Sequence, residues 1–125
     1  RKRYHAVVAG HMRPPPEGDW AEIDLPIAAD WERRPLRVID TERGKPSLTR
    51  WRVLHHDDRA DTSLIALEPV TGRTHQLRVH LAGVGHAILG DALYADDPHR
   101  MRAPRLLLHA TWLAFTHPAT GEWME

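Results

Sequence analysis

Alternating side chains between Leu48 and Glu68 commit the middle of this 125-residue chain to an antiparallel hairpin. From Leu48 to Leu54, Trp51 and Val53 alternate with Arg50 and Arg52, the two-residue period of a strand with one buried face. A hydrophilic tip, His55-His56-Asp57-Asp58-Arg59, follows, and Ser63 to Glu68 reads as the return strand. Pro69 to Gly72 then turns the chain. Other extended pieces fit around this pair. Arg3 to Val8 reads as a strand that stops at Gly10, with Lys2, Tyr4, Ala6 and Val8 on one face. Shorter pieces fall at Ala21–Leu25 and Leu36–Ile39, the latter followed by the turn Glu42-Arg43-Gly44-Lys45-Pro46. Leu106 to Phe115 carries apolar side chains on both faces, as a central sheet strand does. A further strand is expected to begin around Gly121–Met124. Arg13-Pro14-Pro15-Pro16-Glu17-Gly18 reads as a loop, because consecutive prolines have no N–H for a ladder.

One helix stands out. Thr74 is a good N-cap for a helix from His75 to Val84, and Gly85 closes it. Leu77, Leu81 and Val84 recur at helical spacing and form its expected buried stripe. Strands dominate, so the fold class is α+β: a mixed, mostly antiparallel sheet with few helices.

Composition sets bounds without choosing a function. Hydrophobic residues make up 42% and charged residues 27%, ordinary values for a globular chain. No apolar run reaches the roughly 18 to 20 residues of a membrane span. There is no cysteine, hence no disulfide framework and no thiolate metal site. A net charge of zero argues against nucleic-acid binding by bulk charge alone. The cations are nearly all arginine, which suits forked contacts to phosphate or carboxylate. A general arginine bias of the coding sequence explains them equally well. A monomer in a reducing cytoplasm, away from membranes, is the expectation.

The densest signal is Thr71-Gly72-Arg73-Thr74-His75-Gln76-Leu77-Arg78-Val79-His80-Leu81, a tight turn feeding a helix whose first residues are polar. A helix N-terminus offers free N–H groups and the positive end of the macrodipole. Arg78 lies just past that first turn, where the dipole gives a cation nothing. Its placement makes best sense if it pairs with a carboxylate or phosphate outside the helix. From spacing alone, an exposed arginine on a solvated face is the simpler account. Likewise, Tyr4 taken alone is a core residue on a strand.

A family resemblance shifts that balance. Gly72 to Leu81 resembles the Gly-Arg-Thr-His-Gln-Leu-Arg-Val-His-Leu signature of RluA-type RNA pseudouridine synthases. Gly85-His86-Ala87-Ile88-Leu89-Gly90-Asp91 is similar to the family's Gly-His-Pro-Ile-Leu-Gly-Asp, with Ala87 in place of proline. Arg105-Leu106-Leu107-Leu108-His109-Ala110 matches a third block, and His117-Pro118 with Thr120-Gly121 a closing one. Upstream, Lys2, Tyr4, Ala6, Val8 and Gly10 resemble the Lys-x-Tyr-x-Ala-x-Val-x-Gly strand. Asp30-Trp31, Arg34-Pro35 and Gly44-Lys45-Pro46 look most like the RluA branch, which modifies ribosomal and transfer RNA. The resemblance covers essentially the whole chain.

The resemblance implies roles. An aspartate attacks the target uridine, and the freed uracil is rotated and rejoined through carbon without metal or organic cofactor. Tyr4 matches the tyrosine that stacks on the uracil, and an aromatic plane suits an unstacked base. Arg78 matches the basic residue that pairs with the catalytic aspartate and keeps it ionised and oriented. Arg73, His75 and Gln76 fall in the same loop and helix start, as supports or RNA contacts. Leu106 and Leu108 are expected in the apolar wall of the pocket or in the core.

The family's nucleophile lies in a His-Arg-Leu-Asp motif, followed by Thr-Ser-Gly, before the tyrosine strand. No such motif occurs here. Asp61-Thr62-Ser63 is similar to its tail, but no His-Arg-Leu precedes Asp61, and it falls in the hairpin. The expectation is therefore the C-terminal part of a catalytic domain, residues 1–125, inactive alone because the nucleophile belongs to preceding polypeptide. The alternative is a non-catalytic RNA-binding module of the same fold. No metal site is expected: His55-His56-Asp57-Asp58 reads as a solvated turn. His75 and His80 lie roughly 140° apart around a helix, too far to share an ion.

Overall fold

The computed structural model describes residues 2–13 and 20–112. The expected extended segments form β1 (Arg3–Ala9), β2 (Ala21–Asp24), β4 (Arg37–Ile39), β5 (Leu48–Asp57), β6 (Thr62–Pro69) and β7 (Leu108–Trp112), and a short strand not expected from the sequence, β3 (Ile27–Ala29), lies between β2 and β4. Five make one sheet in the order β2-β5-β6-β1-β7, while β3 and β4 form a small ribbon. Every described pairing is antiparallel. The helices are α1 (Gln76–Gly83) and the single turn α2 (Asp97–Arg100), with a 3-10 turn at Trp31–Arg33. The architecture is α+β with a mostly antiparallel sheet and few helices.

One sheet face holds the core. Ala6 and Val8 of β1, Trp51 of β5 and Ile65 and Leu67 of β6 meet Leu77 and Leu81 of α1, with Met12, Ile23 and Ile88 closing the cluster. Burying each large aliphatic side chain here contributes roughly 1.5–3 kcal/mol. On the opposite face Glu68 is buried and receives guanidinium N–H groups from Arg3 and Arg50. Those two arginines and Arg52 also lie over the Trp20 ring, at 4.8–5.7 Å.

Several boundaries differ from the sequence expectation. The hairpin does not turn at His55: His55, His56 and Asp57 pair with Leu64, Ser63 and Thr62. A bulge between Val53 and His55 leaves Leu54 exposed and lets the ladder continue beyond the core. Backbone pairing needs no apolar side chains, so a hydrophilic run extended the strand instead of ending it. His56 Nε2 donates to the Met12 carbonyl, and the ring stacks on His11. The last strand starts at Leu108, and among the described residues it pairs only with β1, at one end of the sheet. Leu113–Phe115, the strand expected at Gly121–Met124, and the proline loop from Pro14 lie outside the described residues, as do His117, Pro118, Thr120 and Gly121.

The helix ends were half right. Gly85, at φ +88, closes α1: its N–H reaches Ala82 O at 3.1 Å and the His86 N–H reaches Leu81 O at 2.9 Å. Val84 is the C-cap and is exposed, so it does not extend the stripe. Thr74 is not the N-cap. His75 takes that position, in the left-handed conformation and with no side-chain cap.

After α1 the chain returns along β1. Ala9 N–H donates to Ala87 O at 2.9 Å and Leu89 N–H to Val7 O at 2.9 Å. Ala87 contributes its carbonyl there, a role proline fills equally well. Gly90, at φ +78, sits so close to the Arg105 carbonyl that an added Cβ would overlap it. Gly90→Ala is therefore expected to destabilise the fold by roughly 2 kcal/mol or more, from left-handed strain plus the clash. A melting temperature equal to that of the parent protein would refute this close approach.

Candidate active site

Antiparallel register brings the two principal motifs together. Tyr4 pairs with Leu67 of β6, and two residues later the chain leaves the sheet at Pro69 and turns into α1. The first turns of α1 therefore come back over the start of β1. Between them lies a cleft of about 460 Å³ whose walls include Tyr4, Arg73, His75, Gln76, Arg78 and Leu108. The Tyr4 hydroxyl has no hydrogen-bond partner among the described residues. Leu106 is not in this cleft; it packs against the core. A second groove of about 400 Å³, lined by His5, Val7, Leu64 and Leu107 among others, contains none of the predicted site residues.

Gln76 is buried and all its polar atoms are used. Its Oε1 accepts the Thr71 hydroxyl at 2.6 Å and the Arg73 N–H at 3.0 Å. Its Nε2 donates to the Leu48 carbonyl at 2.8 Å and to Thr49 Oγ1 at 3.0 Å. Thr49 Oγ1 lies 2.8 Å from Nδ1 of the buried His80, whose Nε2 is 2.8 Å from the Leu25 carbonyl. A carbonyl can only accept, so His80 carries its proton on Nε2 and takes the Thr49 proton at Nδ1. Gln76 thus supports the turn and ties α1 to β5. Arg73 is also committed: Nε and Nη2 both reach Pro46 O, at 3.1 and 2.8 Å.

Arg78 has the external carboxylate that its position demanded. Nε donates to Asp91 Oδ2 at 3.0 Å and Nη2 to Oδ1 at 2.7 Å, a forked pair. Asp91 is fully buried and also accepts the N–H groups of Leu93 and Tyr94, at 3.0 and 3.2 Å. The Tyr94 ring lies 5.3 Å from the Arg78 guanidinium carbon. Among the described residues two of the five guanidinium N–H groups are thereby used, leaving three for another acceptor.

His75 adopts φ 57, which costs a non-glycine residue roughly 1–2 kcal/mol. Its Nδ1 is 2.7 Å from the Tyr94 hydroxyl, which also accepts the Arg37 N–H at 3.0 Å. Burial, then the charges of Arg78 and Arg37, push the His75 pKa below the usual imidazole value, with Asp91 opposing. Asp61, set aside on sequence grounds as a nucleophile, lies in the hairpin turn at φ 54 with an exposed side chain.

With this geometry in place, comparison with known proteins decides the family. The model of the RNA pseudouridylate synthase family matches residues 1–83. The chain belongs to that family. It is 48% identical over 125 residues to the dual-specificity RNA pseudouridine synthase RluA of Pasteurella multocida, covering all of this chain and 55% of the relative. It is likewise 48% identical to the Escherichia coli K12 protein of that name, covering 99% of this chain and 54% of the relative. Human RNA Pseudouridylate Synthase Domain Containing 1 shares the fold, with a TM-score of 0.72 and 36% identity over 87% of this chain and 46% of that one. The chain thus spans about half the length of the relatives it matches.

Within a pseudouridylate synthase fold, sequence reasoning missed two groups that hold the cleft residues from behind, Asp91 on Arg78 and Tyr94 on His75. Asp91 had a signal, standing at the end of the Gly85–Asp91 block opposite an arginine in want of a carboxylate. Tyr94 had none, since only the folded loop brings it to His75.

Two outcomes test this arrangement. Asp91→Ala should cost roughly 3–5 kcal/mol, the penalty for stranding one member of a desolvated ion pair. A loss below about 1 kcal/mol in denaturant titration would contradict the buried pair. Separately, burial holds His80 below the usual imidazole pKa, as it does His5 and His75. The unfolded chain then takes up protons first, so their contribution is complete above about pH 6.5 and is lost as pH falls. Melting temperature should drop between about pH 7 and 5.5, with a shallower slope for His80→Gln.

Proposed function

We propose that the protein isomerises uridine to pseudouridine within ribosomal or transfer RNA. The observation that carries this reading is the shared cleft of Tyr4 and Arg78, two motif residues contributed by a strand and a helix far apart in sequence. Its support is chemical as well as familial. Tyr4 offers an aromatic plane, its hydroxyl without a partner among the described residues, suited to holding a base drawn out of its stack. Arg78 is oriented by Asp91 and keeps three N–H donors for the carboxylate that attacks the nucleotide. Such a contact favours the ionised, reactive form of that carboxylate.

In this reading the nucleophile comes from polypeptide beyond these residues, and this chain supplies the receiving wall of the pocket. Gln76 holds the turn that shapes it rather than reading the RNA itself, because its polar groups are already engaged. Arg73, anchored through two N–H groups on the Pro46 carbonyl, holds the same turn and keeps its other guanidinium N–H groups for a phosphate or base.

The test is tritium release from RNA labelled at carbon 5 of uracil, using the full-length protein. Arg78→Ala should bring turnover below detection while RNA affinity is largely kept. Because this change also strands Asp91, Arg78→Lys is the companion variant. It restores a cation beside Asp91 and should recover fold and part of the turnover. Turnover by Arg78→Ala at the parent rate would overturn the assignment of Arg78.

A further inference from the structure

Among the described residues, two that are not glycine have positive φ: Asp61 and His75. The hairpin turn explains Asp61. His75 sits instead at the entry to α1, on the wall of the cleft, and its ring is held from behind by Tyr94.

Counting protons at the Tyr94 oxygen fixes what His75 offers. The Arg37 backbone N–H, 3.0 Å away, can only donate, so the phenol oxygen accepts there. The single phenolic proton then needs an acceptor. His75 Nδ1, at 2.7 Å, is the one in reach among the described residues. The rings meet edge to face, at 5.6 Å and 77°. The reverse arrangement, with Nδ1–H donating, would leave the phenolic proton without a partner beside a half-buried ring. A neutral imidazole that accepts at Nδ1 carries its proton on Nε2. Nε2 has no partner among the described residues.

We infer that Tyr94 locks His75 in the Nε2–H form, so that His75 presents one uncharged donor to a pyrimidine carbonyl oxygen in the cleft. The inference rests on the cleft being the nucleotide site, as proposed above, and names how that site recognises the base. An uncharged donor suits an uncharged carbonyl, while charge in the cleft is already supplied by Arg78. Burial and the neighbouring Arg78 and Arg37 keep the imidazole neutral against the opposing Asp91. His75 touches the base; Tyr94 is a positioning residue that acts through it.

Nitrogen-15 NMR of the histidine-labelled full-length protein, without RNA, reads the tautomer directly. The His75 resonances should show a fully pyridine-type Nδ1 and a fully pyrrole-type Nε2, and Tyr94→Phe should move both toward the averaged shifts of exchanging tautomers. A pyrrole-type Nδ1 in the parent protein overturns the inference. A double-mutant cycle supplies the functional readout. Tyr94→Phe should lower kcat/KM about tenfold in the parent background, the size of one well-placed hydrogen bond, and leave His75→Ala unchanged. His75→Gln, which returns a neutral donor near the Nε2 position, should recover part of the loss. Equal losses from Tyr94→Phe in both backgrounds would show a merely structural tyrosine and overturn the pairing. A parent protein that converts no uridine would remove the functional reading instead, while the nitrogen spectrum still decides the tautomer.

Discussion

A single chain of hydrogen bonds ties the helix to the sheet, and the cleft exists because of it. Starting at the Leu25 carbonyl, it passes through His80, Thr49, Gln76 and Thr71 to the Leu48 N–H. Each donor and acceptor along it has one possible role, so the network allows one orientation of α1 against β5. Apolar packing cannot impose that alone. Leu77 and Leu81 would tolerate some rotation of an eight-residue helix over the core, whereas a buried amide and imidazole would not. Partly satisfied polar groups in a low-dielectric interior are costly, so a small rotation breaks several bonds together. Arg78 and His75 are aimed into the cleft as a consequence of that orientation.

This division of labour explains what could be read from the residues. The β5–β6 hairpin, the Tyr4 strand and the Gly85 stop follow from alternation, helical period and left-handed glycine, which are local rules. The convergence of Tyr4 with Arg78 was legible through their motifs, and the register of β1 on β6 gives it a physical basis. The misreadings share a cause. Polar residues were not expected to continue the ladder or fill the core: His55 to Asp57 read as a tip, and His80 was left out of the buried stripe. His80 is in fact completely buried. Thr74 lost the N-cap to His75 because a tertiary bond from Tyr94, invisible in local sequence, holds His75 in a conformation its own preferences disfavour.

The Arg78–Asp91 pair is better understood as an aiming device than as a source of stability. Desolvating both charges offsets most of their attraction, and well-packed apolar side chains in the same space would hold the loop as firmly. Apolar substitutes could not present three guanidinium N–H groups at a fixed angle. A fork closed on Asp91 removes the rotational freedom of a long side chain before any ligand arrives, which lowers the entropic cost of each later contact. Asp91 is itself immobilised by the Leu93 and Tyr94 N–H groups. The loop after Gly90 therefore orients both cationic and neutral donors of the cleft: Asp91 aims Arg78, and Tyr94 aims His75. That shared origin makes the two donors geometrically dependent. A displacement of the 91–94 loop would misdirect both at once, so its close seating at Gly90 belongs to the function of the cleft as much as to the fold.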